Sequence, residues 1–454
     1  MEKFKSKIAI VGAGPAGYAL AIKLAQNNID VTLFEKESLG GTCLNKGCIP
    51  TKSILHNSNL INKSKSLEKF GINVNRDLFD FSKVVQIKDS TVEKLNKSLS
   101  LLLKSYDIKI INEEVIEFKE NLVITKNYEC ECEKIVLATG TKPANIKEFN
   151  VDNKIIFNSD GILNLEHLPK SIAIIGSGAI GIEWSRIFSD LGVEVTLIES
   201  MSQILPIADN DVSTRVERLL KKKRVKIEKG TFVEKISNKE LTLANGKTLS
   251  TDIVLFVIGR VPILPNSAFE FKTERNYLLV DNNFMTNIDG IYAIGDINGK
   301  SMLAHSATHQ AIELAQYFIL GKEPEFNKKS VPSVIYGMPE IAWFGKAEEQ
   351  CINENMDYKK VLFPISAIGK AHTDEEIDGF VKILVDKNEM ILGASIVAPE
   401  ASALLMQLLI AKENNLSYKS ILKSIFPHPT FSEAILESLL AMDNQSLSLP
   451  KSKE

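Results

Sequence analysis

One pattern occurs twice in this chain. Lys7-Ile-Ala-Ile-Val-Gly-Ala-Gly-Pro-Ala-Gly17 returns as Ser171-Ile-Ala-Ile-Ile-Gly-Ser-Gly-Ala-Ile-Gly181. Each copy is an apolar run of strand length that enters Gly-x-Gly-x-x-Gly and continues as a helix. Each is followed by a second apolar run ending in an acid, Val31-Thr-Leu-Phe-Glu35 and Val195-Thr-Leu-Ile-Glu199. The acid falls 23 residues after the first glycine in both copies (12 to 35, 176 to 199). Such a turn lets a pyrophosphate approach backbone amides at a helix N-terminus, and the acid reaches ribose hydroxyls. Two copies in strand–turn–helix context predict an α/β protein with two Rossmann-like nucleotide-binding domains. The bland alternative is a pair of tight strand–helix turns that bind nothing.

At 454 residues the chain is too long for a single core. We divide it into 1–147 (the first nucleotide domain), 148–267 (the second), 268–328 (a central segment completing the first site) and 329–454 (a separate α+β domain). Within the first part, Val84, Val85, Leu95, Leu99 and Leu102 mark a helix over about Phe81–Ser105. A β-meander is expected near Ile108–Phe118, Asn121–Thr125 and Tyr128–Cys132, followed by a buried strand from Lys134 to the Gly140 turn. The second part carries Asn245-Gly246, a type I′ hairpin signal, and ends in the strand before Gly259. Gly290-Ile-Tyr-Ala-Ile-Gly-Asp296 is a further buried strand. The last part predicts strands Phe380–Val385 and Ile391–Val397 and helices Ser402–Glu413 and Tyr418–Lys423.

Charge narrows the function. The net charge is −3 and the pI about 6.2, which leaves no nucleic-acid footprint. Lys221-Lys222-Lys223-Arg224 reads as a solvated helix end. No apolar run is long enough to cross a bilayer, and the six residues before Lys7 leave no room for a leader. Five cysteines do not make a disulfide scaffold. A soluble, cytoplasmic enzyme is expected, without partners among nucleic acids or membranes.

Two of those cysteines bracket four residues, Cys43-Leu-Asn-Lys-Gly-Cys48, shortly after the first glycine motif. Extended backbone would separate their Cα atoms by about 17 Å, whereas a disulfide needs roughly 4.4–6.8 Å. A straight helix gives about 7.5 Å of rise. A distorted helix or tight turn is therefore expected, with Gly47 permitting it and Pro50 kinking the helix. The alternative is two reduced, buried thiols. Lys52, one helical turn after Cys48, can stabilise a thiolate, or can be a plain surface lysine. Glu183 is its candidate partner, or a helix-start acid complementing the dipole. Glu199 would repel a 2′-phosphate, which favours NAD over NADP. In Phe426-Pro-His428-Pro-Thr-Phe-Ser-Glu433 an acid can orient an imidazole for proton transfer. His305 and His309 lack a third ligand, Cys130 and Cys132 a second pair, and Cys351 any neighbour, so no metal site is expected.

Together these motifs resemble the flavin-dependent pyridine nucleotide–disulfide oxidoreductases along nearly the whole chain, and most of all their dihydrolipoamide dehydrogenase branch. Gly40–Lys52 matches the branch's redox-active disulfide motif, and Val331–Trp343, Asp378–Val385 and His428–Glu433 match its interface domain. The resemblance implies FAD and NAD as cofactors. FAD would be held by Gly12, Gly14, Gly17, Glu35, Thr42, Lys52, Gly140, Asp296 and Ala304. NAD would be held by Gly176, Gly178, Gly181, Glu199 and Gly259. A Lys52–Glu183 ion pair near the flavin is implied. Cys43 would exchange with the lipoyl sulfurs and Cys48 would contact the flavin. His428, held by Glu433, would be the acid–base residue of the other subunit's site, which requires a homodimer. The implied substrate is a lipoylated carrier protein of a 2-oxoacid dehydrogenase or glycine cleavage system.

The chain departs from the family at Lys46, where a cation between the cysteines could favour thiolates. It departs also at His309, Ala311 and Gly369-Lys370-Ala371, and in its C-terminal tail. Glutathione-type reductases are disfavoured by Glu199. A mercuric reductase is disfavoured because no cysteine follows Cys351. A non-enzymatic redox sensor is disfavoured by the retained cysteine and His428/Glu433 pairs.

Overall fold

The computed structural model describes residues 1–75 and 79–450. The first glycine motif sits at the centre of a mixed sheet. Strand β1 (Glu2–Val11) enters the turn and helix α1 (Pro15–Ala25) leaves it toward β2 (Val31–Phe34). Three helices follow, α2 (Gly41–Asn45), α3 (Cys48–Lys63) and α4 (Phe81–Ser105). Strands β3 (Lys109–Ile111), β4 (Glu117–Lys119), β5 (Leu122–Ile124) and β6 (Tyr128–Leu137) complete the run. Their order is β3-β2-β1-β6-β5-β4, and the later strand Ile291–Ala293 also pairs with β6. β1 runs parallel to both β2 and β6, with Ile8 opposite Val31 and Lys134.

The last meander strand and the buried strand of the sequence reading are one element, β6. Its first half alternates, with Cys130 and Cys132 buried and Glu131 exposed. From Ile135 to Leu137 every side chain is buried. Alternation marks the part with one solvated face, and continuous burial marks the part covered on both faces.

The chain crosses to the second nucleotide domain through β7 (Thr141–Pro143) and then forms β8 (Ile156–Asn158) and β9 (Ser171–Ile175). Helix α5 (Ala179–Asp190), β10 (Glu194–Glu199), α6 (Asn210–Lys222) and β11 (Lys226–Lys229) repeat the first domain's logic. A small antiparallel sheet, β12 (Val233–Ser237), β13 (Glu240–Leu243) and β14 (Thr248–Ser250), precedes β15 (Ile253–Phe256). The parallel sheet is ordered β11-β10-β9-β15-β8. The chain returns through β16 (Arg260–Pro262), which pairs antiparallel with β7, so crossing and return form one ribbon.

The hairpin signal at Asn245-Gly246 needs correction. Of these two residues only Gly246 has positive φ, 81°, as in a longer loop ending in a glycine bulge. The Asn245 carboxamide instead accepts the Lys247 amide, a local turn that does not need the left-handed region. The hairpin with positive φ at both central residues lies one turn earlier, at Asn238 (46°) and Lys239 (68°).

The last part is a five-stranded antiparallel sheet in the order 333–335, 340–345, 391–398, 380–386 and 358–364, packed under the helices Ala401–Glu413 and Glu433–Ala441. Helix Tyr418–Ile421 is shorter than expected. Among the described residues no helix is long and apolar enough to cross a membrane. The basic cluster is neutralised locally. Lys221 pairs with Glu217, Lys222 with Asp378 and Lys223 with Asp190.

A buried lysine joins the second nucleotide domain to the last domain. Lys382 is 2% exposed and bonds Asp209 at 2.9 Å, Asp211 at 2.6 Å and Glu348 at 2.7 Å. Burial opposes ionisation of Glu348, but donors from Lys360, Lys382 and Tyr358 prevail and hold its carboxyl down at about 2. Removing the cation would strand buried carboxylates, at a cost on the order of 3–5 kcal/mol. A Lys382→Met variant should lose that much in urea denaturation, and an unchanged midpoint would refute the role. Because the folded carboxyl titrates below its ordinary 4.5, Glu348 contributes stability above that pH and loses it as pH falls toward about 2. The stability gap between wild type and Glu348→Gln should close over that window.

Candidate active site

The two glycine turns line one continuous cleft of about 1840 Å³. A Cβ on Gly12 would lie 2.4 Å from the Ala138 carbonyl oxygen, and one on Gly176 would lie 2.6 Å from that of Val257. Only glycine lets the neighbouring strand end come so near. Gly14 and Gly178 cap α1 and α5 at the cleft wall, and a Cβ on Gly178 would meet nothing within 4 Å. Gly17 and Gly181 do not line the cleft. A Cβ on either would strike the carbonyl oxygen of Gly12 or Gly176, at 1.9 and 2.0 Å. They act by packing helix against turn, not by touching a ligand.

Both strand-end acids are fixed by backbone donors. Glu35 accepts from the amides of Ala13 and Glu37, each at 2.8 Å. Glu199 accepts from the Ser177 amide (2.9 Å), the Ser177 hydroxyl (2.6 Å) and the Met201 amide (3.0 Å). Burial works against its charge, but these donors hold the carboxyl below the usual range. Gly140, Asp296, Ala304 and Gly259 also line the cleft. Open space lies where a Cβ on Gly140 or Gly259 would stand, and Ala304 begins the helix Ala304–Leu320. Helix N-termini and uncrowded glycines at both ends of the cleft suit two dinucleotides. Asp296 is half-buried, and its partial desolvation raises its carboxyl pKa despite the Thr141 hydroxyl hydrogen bond it accepts at 2.9 Å.

The cysteine segment is two helices with a break between them. Cys43 lies in α2 and Cys48 opens α3, separated by Lys46 and Gly47. A Cβ on Gly47 would stand 2.9 Å from the Thr42 carbonyl oxygen. The expected kink at Pro50 does not occur. Pro50 falls in the first turn of α3, where an N–H has no intrahelical partner to lose. The two sulfurs are free thiols in hydrogen-bond contact. The Cys43 thiol, by donating to the Cys48 thiolate, lowers Cys48 to about 7, with help from Lys52 and against burial and Glu183. The same bond and burial push Cys43 well above the ordinary thiol range. The pair titrates as a unit, with Lys52 favouring the anionic form.

Lys46 turns away and pairs with Glu37. Lys52 is the cation acting on the sulfurs. Its ammonium bonds both Glu183 oxygens, at 2.9 and 2.8 Å, and lies 4.9 Å above the Tyr336 ring. Glu183 also accepts the Tyr336 amide at 3.0 Å.

Two neighbours escaped the sequence reading. Arg260 donates to the Thr141 hydroxyl and carbonyl, both at 2.9 Å, and to the Thr42 hydroxyl at 3.4 Å. It ties the β7–β16 ribbon to the residue before Cys43. Its place directly after Gly259 was the available signal. Tyr18, one turn into α1, has its phenol pushed up by burial and then by Cys43 and Cys48.

His428 lies apart from the cleft, with its side chain 75% exposed. Its Nδ1 bonds Glu433 at 2.8 Å, and the other Glu433 oxygen accepts the Thr430 amide at 2.9 Å. Burial opposes the Glu433 charge, yet His428 and that amide hold its carboxyl below the usual range. A single chain thus orients His428 but does not bring it to the cysteines. His305 bonds the Pro332 carbonyl oxygen and His309 faces Glu313. Among the described residues no three His, Cys, Asp or Glu side chains are grouped to hold a metal ion.

Comparisons with known proteins agree with this geometry. Residues 6–311 match the pyridine nucleotide-disulphide oxidoreductase model and residues 331–439 match the dimerisation domain of the same family. The chain is 35% identical to a dihydrolipoyl dehydrogenase of Chlamydia pneumoniae over 458 residues, covering 97% of this chain and 98% of that one. It is 33% identical to the dihydrolipoyl dehydrogenase of Bacillus subtilis, covering 97% and 98%. Among solved structures it is similar to the HOCl-induced flavoprotein disulfide reductase RclA of Escherichia coli, with a TM-score of 0.86 at 27% identity over 96% of this chain and 99% of that one. LpdA of Mycobacterium tuberculosis shares the fold, with a TM-score of 0.88 at 23% identity, covering 96% and 99%. FAD and NAD, the cofactors expected from the sequence, are those this family works with, and the match to the family's dimerisation domain supports a homodimer. The chain belongs to the pyridine nucleotide–disulphide oxidoreductase family of enzymes.

Proposed function

We propose that the protein is a dihydrolipoyl dehydrogenase, oxidising the dihydrolipoyl group of a carrier protein and reducing NAD+. The observation that carries this reading is the Cys43–Cys48 thiol contact on the wall of the one cleft that both glycine turns line. The names of relatives 33–35% identical over nearly the whole chain support the lipoyl substrate. On this reading FAD lies between 1–147 and 268–328, NAD occupies 148–267, and 329–454 forms the dimer interface. The carrier belongs to a 2-oxoacid dehydrogenase or glycine cleavage system. A reducing compartment such as the cytoplasm suits a catalytic dithiol.

The chain's own residues supply exchange, charge and proton transfer. A lipoyl thiolate attacks Cys43 Sγ of the oxidised pair, breaking the Cys43–Cys48 bond and releasing Cys48 as thiolate. The second lipoyl sulfur attacks the sulfur bonded to Cys43. This closes the lipoyl disulfide and releases Cys43. The lipoyl group thereby loses two electrons and two protons, and the protein dithiol holds the electrons. Lys52 stabilises the thiolate left on Cys48. His428 of the other subunit, oriented by Glu433, takes a lipoyl proton. FAD, when bound, supplies the chemistry that passes the electron pair from the dithiol to NAD+. Glu199 selects NAD by repelling a 2′-phosphate.

A second reading, a reductase of some other disulfide, draws on the likeness to RclA. Assays of NADH oxidation with lipoamide, oxidised glutathione and Hg(II), run side by side, separate the two. Fastest turnover with glutathione or Hg(II) would overturn the lipoyl assignment. Cys43→Ser should abolish dihydrolipoamide-dependent NAD+ reduction while FAD content stays at wild-type level. His428→Gln should lose roughly 10²–10⁴-fold in that turnover, and wild-type rates would refute the base assignment. Like-charge contact costs several kcal/mol, so NAD+ should exceed NADP+ in kcat/KM by more than about 100-fold. Equal values would sink the role given to Glu199.

A further inference from the structure

Helix α5 buries a second charged residue one turn beyond Glu183. Arg186 is 3% exposed. Its Nη1 donates to the Pro339 carbonyl oxygen at 3.3 Å, while Nε and Nη2 are buried without an acceptor. Burial lowers its pKa to about 10. The carboxylates of Asp190 and Glu376 act on it through space without taking hydrogen bonds from Nε or Nη2; a guanidinium bonded only this far is costly to bury, and nothing in the exchange chemistry above uses it.

Its surroundings give it a use. Arg186 lies against the loop Tyr336-Gly337-Met338-Pro339. Gly337 has φ of 143°, and a Cβ there would stand 2.7 Å from Arg186 Nε. The guanidinium therefore fills the room that a side chain at 337 would need. The same loop begins with Tyr336, whose amide donates to Glu183 at 3.0 Å and whose ring lies 4.9 Å beneath the Lys52 ammonium. One helix thus grips one loop at two points, Glu183 at its start and Arg186 at its end.

We propose that Arg186 is a positioning residue for the redox centre: seated in the space left by Gly337, it clamps the 336–339 loop so that Glu183 and Tyr336 hold the Lys52 ammonium beside Cys48. The proposal rests on the Cys43–Cys48 pair as redox centre but not on the identity of the substrate. With the clamp removed, the Tyr336 amide and ring slip from Glu183 and Lys52. The ammonium is then freer, and Cys48 loses part of the cation that favours its thiolate.

The test measures Cys48 alone. In the reduced, FAD-loaded Cys43→Ser protein, the pH midpoint of Cys48 alkylation by iodoacetamide is read by peptide mass spectrometry. Lys52→Met should raise the midpoint, Arg186→Met should raise it by at least half as much, and Arg186→Lys should fall between Arg186→Met and the parent. Gly337→Ala, which drives a methyl group into Arg186, should shift it the same way and carries the test if Arg186→Met does not fold. Midpoints at the parent value in the folded Arg186 and Gly337 variants overturn the proposal, even if turnover falls. So does an unmoved midpoint in Lys52→Met. No lipoyl compound enters the assay, so failure of the lipoyl reading would leave its outcome intact.

Discussion

The Lys52–Glu183 ion pair is the contact on which the rest of the molecule's arrangement turns. Lys52 comes from the helix that Cys48 opens, Glu183 from the helix that the second glycine turn opens, and Tyr336 from the last domain. Three separately built parts meet at one carboxylate. Glu183 is 3% exposed, so its charge is tolerable only while the ammonium and the amide stay in place. Any drift of the second nucleotide domain against the first opens a buried charge. The apolar packing around it has the same span, since Leu55, Trp184, Ile335 and Phe380 share one cluster.

The parts of this arrangement visible in the sequence were those built from neighbours along the chain. The repeated strand–glycine–helix–strand–acid pattern gave both nucleotide folds, because the turn, its helix N-terminus and the acid all lie within about two dozen residues. The wrong inferences were also local, and each came from a residue whose effect depends on its place in an element. Pro50 breaks a helix interior but is at home in a first turn. Whether it stood in the interior depended on where α3 began, and Gly47 set that. Asn245-Gly246 fits two turn types, and only loop length separates them. Contacts between distant residues were less legible. The Lys52–Glu183 pair, 131 residues apart, was one of two options for Glu183 on the residues alone, and the family resemblance implied it as an ion pair. Arg260, Tyr18 and Tyr336 did not enter as site residues, since their partners lie far along the chain, although Arg260, directly after Gly259, stood beside a residue already singled out. Lys46 illustrates the opposite error. Proximity in sequence suggested that it charges the cysteines, yet the helix break swings it toward Glu37.

The geometry assigns the two sulfurs different electrostatic settings, which spacing between the cysteines cannot do. Cys48 lies one turn before Lys52, and its contacts with Cys43 and Lys52 favour its thiolate. When Cys43 of the oxidised pair is attacked, Cys48 leaves, and the nearby Lys52 ammonium makes it a good leaving group. In the proposed reaction that is the direction needed: exchange occurs at Cys43 while charge is delivered to the sulfur beside the cation.

On the proposed reading the proton acceptor comes from elsewhere. In the oxidised pair that a lipoyl thiol meets, the two sulfurs are bonded to each other, so neither can serve as its base. Lys52 is a cation locked to Glu183, and Tyr18 is a phenol whose ionisation is pushed up. Lys52 and Tyr18 thus stabilise or withhold charge beside the sulfurs without taking up a proton from an incoming thiol. His428 has the right chemistry and a carboxylate to orient it, but within its own chain it faces outward, away from the cleft. The chain matches the family's dimerisation domain over 331–439 and holds this imidazole on the outside of that domain. On the proposed reading, dimerisation supplies the one group that the cysteine environment, tuned to hold negative charge, excludes from its own chain.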